Sequence, residues 1–228
     1  RRGWTPILAL ALAEAGADVA IAGKANSDMA EAVKAVEALG RKALAITTDP
    51  TDSAQVRAMV AQVVSEMGQV DILVNNAHAD FAKPFEYVSE DEWQTLMDFN
   101  VKSIYLCCQI VGKHMLKQGS GHIVNIGSAA GLRAGLIGGA AYNASKFALT
   151  ALGRTVGVEC CDEGIRVTNV YPGEVETPIL DDRPVPVSAE HRARILQPEN
   201  IAAAVQMVVE LPPRANVLEL VIKPTTQA

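Results

Sequence analysis

A tyrosine and a lysine four residues apart are the first residues of this sequence that could do chemistry. They stand in Tyr142-Asn-Ala-Ser-Lys146, in a stretch that favours a helix. Positions i and i+4 share one face of a helix, so the ammonium of Lys146 would approach the phenol of Tyr142. A phenol is a poor acid or base near neutral pH, and a neighbouring cation lowers its pKa. The pair therefore predicts proton transfer, although this spacing also arises by chance on helices.

A serine upstream supplies a second polar group. The apolar run His122–Ile126 predicts a buried strand, and Gly127 and Ser128 follow at its carboxyl end. Ligands bind at that end of the strands in open parallel sheets. The glycine-rich stretch between Ser128 and Tyr142 can fold back and bring the two hydroxyls together, so that Ser128 would hydrogen-bond a substrate carbonyl. By itself, a serine at a strand end is more typical of a simple turn.

Short β-rich runs alternate with longer helical patterns along the chain. This alternation predicts an α/β fold, with a doubly wound parallel sheet of the Rossmann type between helices in three layers. The expected strands are Val19–Ala22, Ala43–Thr47, Ile72–Val74, His122–Ile126, Arg166–Val170 and Val217–Ile222. The expected helices are Ile7–Ala15, Met29–Leu39, Ser53–Met67 with Ser53 as its cap, a long helix from the capping box Ser89–Glu92 to about Lys117, Tyr142 to about Cys161, and Glu199–Glu210.

The length of the chain predicts one domain over residues 1–228, with the stretch 178–198 as a substrate loop or lid. An α/β sheet of this kind needs a strand before its first helix, and this chain starts at that helix. We therefore expect the first strand to be missing from the sequence, with about ten or more residues upstream of Arg1.

Composition excludes several classes of protein. The formal net charge is -6 and no run of lysines or arginines occurs, which argues against nucleic-acid binding. No apolar stretch reaches the roughly 18 residues of a membrane span, and the first residues lack the layout of a signal peptide. The cysteines fall in the adjacent pairs Cys107-Cys108 and Cys160-Cys161, without the spacing of a zinc site. We expect reduced, packed thiols, no metal and a cytoplasmic protein.

Four residues in order resemble the catalytic tetrad of the short-chain dehydrogenase/reductase family: Asn100, Ser128, Tyr142 and Lys146. Further motifs of that family follow over essentially the whole chain: Asp49-Pro50, Asn75-Asn76-Ala77, and Tyr171-Pro172-Gly173 with Thr177. The set is similar to the branch of 3-oxoacyl-acyl-carrier-protein reductases and general carbonyl or alcohol reductases.

The resemblance implies hydride exchange between a nicotinamide cofactor and a carbonyl or secondary alcohol, including acyl thioesters. Tyr142 would be the general acid in reduction and the base in oxidation. Lys146 would lower the pKa of Tyr142 and bind the nicotinamide ribose. Ser128 would orient the carbonyl, and Asn100 would hold a water that links Lys146 to solvent. The family usually assembles as homodimers or homotetramers through its two long helices.

The same resemblance implies the cofactor contacts. They are Asp49 and Pro50 on the adenine side, Asn75 and Ala77 at the adenine ribose, and Pro172, Gly173, Val175 and Thr177 on the nicotinamide side. Asn76 belongs either to this site or to the side chains that pin the strands.

The choice of nicotinamide depends on the end of the second strand. An acidic residue there would bind the ribose 2′-hydroxyl and select NAD. That place holds Gly23 followed by Lys24, and Arg2 adds a cation beside Gly3 in the expected phosphate loop. Two cations and no carboxylate predict NADP, with NAD as the alternative.

Two places depart from the family pattern. Only Arg2-Gly3-Trp4-Thr5 remains of the phosphate loop T-G-x-x-x-G-x-G, and His78 follows Asn-Asn-Ala where glycine is usual. These departures favour the alternative of a catalytically impaired relative that serves as a binding or regulatory protein. The arginines of the substrate loop, Arg183, Arg192 and Arg194, would either meet a phosphopantetheine or carboxylate or stand as scattered, solvated charges.

Overall fold

Short strands and longer helices alternate along the chain, as the sequence pattern predicts. The computed structural model describes residues 4–24, 27–80, 83–136, 138–177, 180–181 and 187–227. The helices are Trp4–Glu14 (α1), Ser27–Ala38 (α2), Ser53–Met67 (α3), Glu90–Met97 (α4), Ser103–Gln118 (α5), Gly139–Cys160 (α6), Ala189–Arg194 (α7) and Pro198–Glu210 (α8). The strands are Val19–Gly23 (β1), Ala43–Thr47 (β2), Ile72–Asn75 (β3), Gly121–Ile126 (β4), Ile165–Pro172 (β5) and Glu219–Ile222 (β6). Arg2, Gly3 and Arg183 lie outside the described residues.

The chain forms two compact units, each built from separate stretches. The first consists of Arg1–Thr48, Gly173–Leu211 and Ile222–Ala228, and the second of Asp49–Pro172 and Pro212–Val221. The prediction of one domain over residues 1–228 stays a prediction. None of the described helices is both long and apolar enough to cross a bilayer.

The first unit contains the parallel pair β1 and β2. Val19 lies opposite Ala43, and Gly23 lies opposite Thr47. Helix α2 turns one apolar face to the interior, because its small and apolar residues recur at helical spacing. The buried cluster of this unit consists of Ala9, Ala13, Ile21, Met29, Ala32 and Val36.

The second unit contains the strands in the order β3-β4-β5-β6. The pairs β3–β4 and β4–β5 are parallel, with Ile72 opposite His122 and His122 opposite Arg166. Helices α3 and α5 cover the sheet with valine, isoleucine and cysteine side chains, which form one buried cluster with Ile123 and Val167. The predicted α/β fold of the Rossmann type is confirmed. Its parallel register brings the carboxyl ends of β3, β4 and β5 to the same edge.

Two helix predictions were wrong in detail. The cap of α3 is Asp52 and not Ser53, because the Asp52 carboxylate accepts from the main-chain N–H of Ala54 at 2.8 Å and of Gln55 at 3.3 Å. The expected long helix after the capping box at Ser89 is broken by a π-helical turn over Asp98–Lys102. Tertiary hydrogen bonds of Asn100, inside that turn, compensate for the irregular backbone.

Helix α7 lies in the stretch that the sequence predicted to be irregular. Its six residues are too few to show an amphipathic period. The local signal for it is Ser188, whose hydroxyl accepts from the N–H of His191 at 3.1 Å as an N-cap.

Candidate active site

Helix α6 carries Tyr142 and Lys146 one turn apart, in the second unit. The Nζ atom of Lys146 lies 5.5 Å from the centre of the Tyr142 ring. The lysine side chain is buried and the tyrosine is half-buried. Gly138 packs against the phenol ring so closely that a Cβ at this position would collide with it. The residues just before α6 therefore fix the position of the ring.

Ser128 meets Tyr142 from the carboxyl end of β4. A hydrogen bond joins the Ser128 side chain to the phenol. The Ser128 oxygen also accepts from the N–H of Ala130 at 3.1 Å, which holds it at the start of a short 3₁₀ turn. Because the bond from Ala130 uses a lone pair of the Ser128 oxygen and not its hydrogen, the hydroxyl can still donate to the phenol oxygen or to an atom beside it.

Asn100 joins the segment after β3 to α6. Its side-chain oxygen accepts from the N–H of Ala79 at 2.8 Å, and its amide nitrogen donates to the carbonyl of Ala79 at 2.9 Å and to the hydroxyl of Ser145 at 2.9 Å. The side chain is fully buried. Because both amide protons bind protein atoms, a water of the predicted relay would have to bind elsewhere on Asn100, such as its main-chain carbonyl. The structure thus brings Asn100, Ser128, Tyr142 and Lys146 into one cluster.

Burial dominates the pKa values of the two titratable groups. It raises the pKa of Tyr142 to about 12, while the hydrogen bond from Ser128 acts in the opposite direction and the charge of Asp80 adds to the rise. Burial also lowers the pKa of Lys146 to about 8, and Asp80 opposes this shift. The sequence predicted that Lys146 lowers the pKa of Tyr142; in the structure this pKa is raised instead, with desolvation of the phenolate as the largest cause.

Two residues beside this cluster carry charge or titrate, and sequence reasoning gave neither of them a catalytic place. Asp80 follows β3 and acts electrostatically on both Tyr142 and Lys146. Desolvation, and then the charge of Lys146, lower the pKa of His78 to about 4. The His78 side chain is nevertheless exposed, and its Nδ1 atom lies 3.1 Å from the carbonyl oxygen of Asn76. The signal that could have found Asp80 is a carboxylate just beyond the carboxyl end of a parallel strand.

Asn75, predicted to contact the cofactor, uses its side chain inside the sheet. Its amide donates to the side-chain oxygen of Asn125 at 2.9 Å, and the amide of Asn125 donates to Asn169 at 3.1 Å. The three residues lie opposite one another on β3, β4 and β5. The side chain of Asn75 therefore pins the strands, a role that the sequence had left open as one of two alternatives for Asn76. A ribose contact at Asn75 would have to come from its main chain.

The remaining predicted cofactor residues of the second unit lie at the same strand ends or before α3. Ala77 is exposed just after β3, and Pro172 is the buried last residue of β5. The Asp49 carboxylate accepts from the N–H of Thr51 at 2.9 Å and from its hydroxyl at 2.7 Å, and Pro50 lies between them. Within the described ranges, no group of three or more His, Cys, Asp or Glu side chains is placed to hold a metal ion.

In the first unit, the end of β1 is open and positively charged. A Cβ added to Gly23 would meet nothing within 4 Å, and the following Lys24 is exposed. The first turn of α1, which starts at Trp4, contains no acidic residue. Main-chain N–H groups in the first turn of a helix, and a lysine ammonium, each attract an anionic group, so the start of α1 and Lys24 are suited to the phosphates of a dinucleotide.

The predicted nicotinamide-side residues of the first unit form an anchored segment. Gly173 donates its N–H to the carbonyl of Ile222 at 2.7 Å, and Val175 forms a parallel bridge with Leu196. The hydroxyl of Thr177 donates to the carbonyl of Val175 at 3.4 Å.

Comparisons with known proteins point in one direction. A family model described as short chain dehydrogenase matches residues 2–185 of this chain. An uncharacterized oxidoreductase of Listeria monocytogenes is 30% identical over 226 residues, which cover 96% of this chain and 91% of that protein. A 3-oxoacyl-acyl-carrier-protein reductase of Staphylococcus aureus is 35% identical over 181 residues, covering 79% of this chain and 73% of the reductase. The closed form of serine dehydrogenase complexed with NADP+ has a TM-score of 0.89 at 27% identity, covering 99% of this chain and 92% of that one.

Proposed function

The chain belongs to the short-chain dehydrogenase family of oxidoreductases, and we propose that it transfers a hydride between NADP and a carbonyl or secondary alcohol, with Tyr142 as its general acid and base. One observation carries this proposal: Tyr142 lies between the Ser128 hydroxyl and the buried ammonium of Lys146. A bound nicotinamide would supply or accept the hydride.

The chain's own residues would move the proton. Ser128 donates a hydrogen bond to the substrate oxygen and so orients the carbonyl, while keeping its own proton. Tyr142 gives its proton to the same oxygen as negative charge develops there. Lys146, which is mostly an ammonium at pH 7 because its pKa is about 8, stabilises the phenolate that this transfer leaves behind. Asn100 acts through Ser145 and Ala79, which it keeps in place beside the pair.

Removal of the Tyr142 hydroxyl tests this assignment. Tyr142→Phe keeps the ring against Gly138 but removes the proton donor, so NADPH oxidation with a panel of ketones, aldehydes and 3-oxoacyl thioesters should fall at least about a hundredfold. Tyr105→Phe is the matched control, because Tyr105 is an exposed residue of α5 outside the cluster. Equal activity of the two variants on every substrate that the wild type reduces would rule out Tyr142 as the acid.

The preference for NADP rests on the end of β1. A Cβ at Gly23 would meet nothing within 4 Å, so this place has room for a 2′-phosphate, and the next residue, Lys24, is a cation rather than a carboxylate. The serine dehydrogenase with a similar structure was solved with NADP+. We expect a lower Kd for NADPH than for NADH in fluorescence titration, and Lys24→Ala should narrow the difference. Tighter binding of NADH would contradict the preference.

An impaired relative that binds without catalysing remains the alternative for this chain. Trp4 and Thr5 at the start of α1 and His78 beside Lys146 motivate it. Calorimetry separates the two functions: the oxidoreductase binds a dinucleotide, and the absence of binding by all four nicotinamide dinucleotides would favour the alternative.

The oligomeric state of the protein and its location in the cell stay proposals. The two long helices expose large apolar side chains, with Tyr105 and Leu116 on α5 and Phe147 and Val158 on α6. Exposed apolar patches mark association surfaces, so we propose a homodimer or homotetramer, which sedimentation can measure. We also propose a cytoplasmic enzyme that acts on small carbonyl substrates, including 3-oxoacyl thioesters.

A further inference from the structure

The segment 173–177 of the first unit, here called the strap, is held on two sides by hydrogen bonds to its main chain. On one side, Gly173 donates to Ile222 at 2.7 Å, and the side-chain oxygen of Gln227 accepts from the N–H of Glu174 at 3.0 Å. On the other side, the main chain of Leu196 bonds to the strap through the N–H of Glu176 at 2.8 Å and the carbonyl of Glu174 at 3.1 Å. The strap contains Gly173, Val175 and Thr177, which the resemblance to the short-chain dehydrogenase family implies on the nicotinamide side of the cofactor.

Hydrogen bonds from one side chain of helix α7 reinforce this attachment of the strap. The Nη1 atom of Arg192 donates to the carboxylate of Glu176 at 2.8 Å, its Nη2 donates to Asp181, and its Nε donates to the carbonyl of Val187 at 3.3 Å. All three guanidinium nitrogens are thus engaged. The side chain of Arg192 is only 15% exposed and that of Glu176 only 18%.

This geometry answers the question that the sequence left open about the loop arginines. Arg192 is not a scattered solvated charge, because its side chain is largely buried and each of its guanidinium nitrogens donates to a protein oxygen. A neighbouring contact acts on the same strap, since His191 lies 2.7 Å from the carboxylate of Glu174. By contrast, Arg194 is exposed and forms one distant pair, at 3.8 Å, with Glu190 of its own helix.

We infer that Arg192 is a positioning residue for the nicotinamide end of the cofactor: by joining Glu176 and Asp181 to α7, it holds the strap in the conformation that binds the dinucleotide. This inference rests on the proposed function. Arg192 shares one guanidinium between two carboxylates. Without the guanidinium of Arg192, the carboxylates of Glu176 and Asp181 would repel each other. Glu176 would also be a half-buried anion that has lost its ion pair with Arg192. We therefore expect the strap to open at its Thr177 end.

The experiment compares two arginines of the same helix. Arg192→Met keeps the apolar stem but removes the charge, and Arg194→Met is the matched control. We expect Arg192→Met to raise the Kd for NADPH about tenfold or more, and the KM for NADPH similarly, with a smaller change in kcat. Arg192→Lys, which has a single charge centre, should lie between. Arg194→Met should stay within about twofold of the wild type, as is usual for exposed pairs.

Hydrogen exchange supplies a readout that needs no activity. In the protein without cofactor, amides of the strap should exchange faster in Arg192→Met than in Arg194→Met. Adding Asp181→Asn to Arg192→Met should slow the exchange again, because it removes the repulsion between the two carboxylates. If circular dichroism shows that Arg192→Met does not fold, Arg192→Lys and Glu176→Gln are compared with Arg194→Met instead.

The outcomes separate the inference from the function on which it rests. If the wild type binds no nicotinamide dinucleotide, the proposed function is wrong and the inference falls with it. If the wild type binds NADPH and Arg192→Met matches Arg194→Met in both Kd and strap exchange, the inference alone is wrong. A lower unfolding temperature with unchanged Kd would also overturn it, since that result describes a merely structural ion pair.

Discussion

Tyr142 and Lys146 lie where burial works against the charged form of each. The pKa of the phenol is raised to about 12 and that of the ammonium is lowered to about 8. Asp80 acts on both: its negative charge favours the ammonium and disfavours the phenolate. At neutral pH the pair is therefore a protonated phenol beside a cation. That is the state from which a proton can be donated to a carbonyl oxygen.

Asp80→Asn should move the pH dependence of the reaction. Removing the negative charge lowers the pKa of Lys146 and of Tyr142 together, because the anion raises both in the wild type. The ammonium of Lys146, which stabilises the phenolate, is then lost at lower pH. We expect the alkaline limb of the kcat/KM profile for carbonyl reduction to shift down by about one pH unit. Steady-state rates between about pH 6 and 10 would measure the shift, because this range lies on both sides of the Lys146 pKa of about 8.

The control for this prediction is Glu86→Gln, which also removes one carboxylate but at an exposed position. Its profile should match that of the wild type. His78 is the other titratable group beside Lys146, and its pKa of about 4 keeps it neutral across this range. An unshifted alkaline limb in Asp80→Asn would mean that its charge does not control the pair.

Spacing along one helix and one strand end was enough to predict that Tyr142, Lys146 and Ser128 come together. Asp80 also lies beyond the carboxyl end of a strand, but that position alone did not predict its effect on Tyr142 and Lys146. Its effect depends on the bonds between Asn100 and Ala79, which fix the segment just before it next to α6. Such tertiary contacts leave no periodic trace in the sequence.

At the scale of elements, a row of buried asparagines joins β3, β4 and β5 close to the candidate site. Buried amides are stable only when their hydrogen bonds are made, and here each one bonds to its neighbour across the strands. Helix α6 makes room for the last of them with Gly153, where a Cβ would collide with the side-chain oxygen of Asn169. The row fixes strand register, so the residues after β3 and β4 arrive together.

Gly153→Ala should destabilise the protein by about 1–3 kcal/mol, because the added methyl group displaces Asn169 from its bond with Asn125. Gly157→Ala on the same helix is the control. Its Cβ would lie 3.4 Å from Val167, an ordinary contact, so the better helix propensity of alanine should leave stability unchanged or raise it by up to about 1 kcal/mol. Urea unfolding measures both. Equal stability of the two variants would show that the row tolerates the intrusion.

The elements themselves were mostly predictable, since strands and helices followed their apolar periods. The predictions that were wrong concerned local features, namely the cap of one helix and a break in another. Asp52 and Ser53 are both good capping residues, and only the backbone conformation decides that Asp52 takes the role. The π-helical turn around Asn100 depends on partners 21 and 45 residues away, which no local pattern encodes.

For the molecule as a whole, acidification has two opposing effects. The formal net charge is -6, so mild acid first reduces the repulsion among surface charges. The opposing effect comes from His122, whose imidazole on β4 is only 2% exposed and lies 2.8 Å from the hydroxyl of Thr168. Burial, helped by the charge of Arg166, lowers the pKa of His122 to about 4. Because a buried charge costs more than dispersed surface repulsion, we expect His122 to decide the outcome.

The free energy of unfolding should therefore fall as the pH drops from about 6.5 towards 4. In this range the unfolded chain protonates its histidine, with a pKa near 6.5, while the folded protein keeps His122 neutral, so protons favour unfolding. Above pH 6.5 His122 lowers the stability of the protein very little, and at pH 4 it has lowered the free energy of unfolding by about 3 kcal/mol. His122→Gln, which keeps a neutral hydrogen-bonding side chain, should flatten the curve between pH 6.5 and 4, whereas His114→Gln on α5 should leave it as in the wild type. Urea unfolding at half-unit steps of pH compares the three proteins, and identical slopes in all of them would exclude His122 as the group that limits stability in acid.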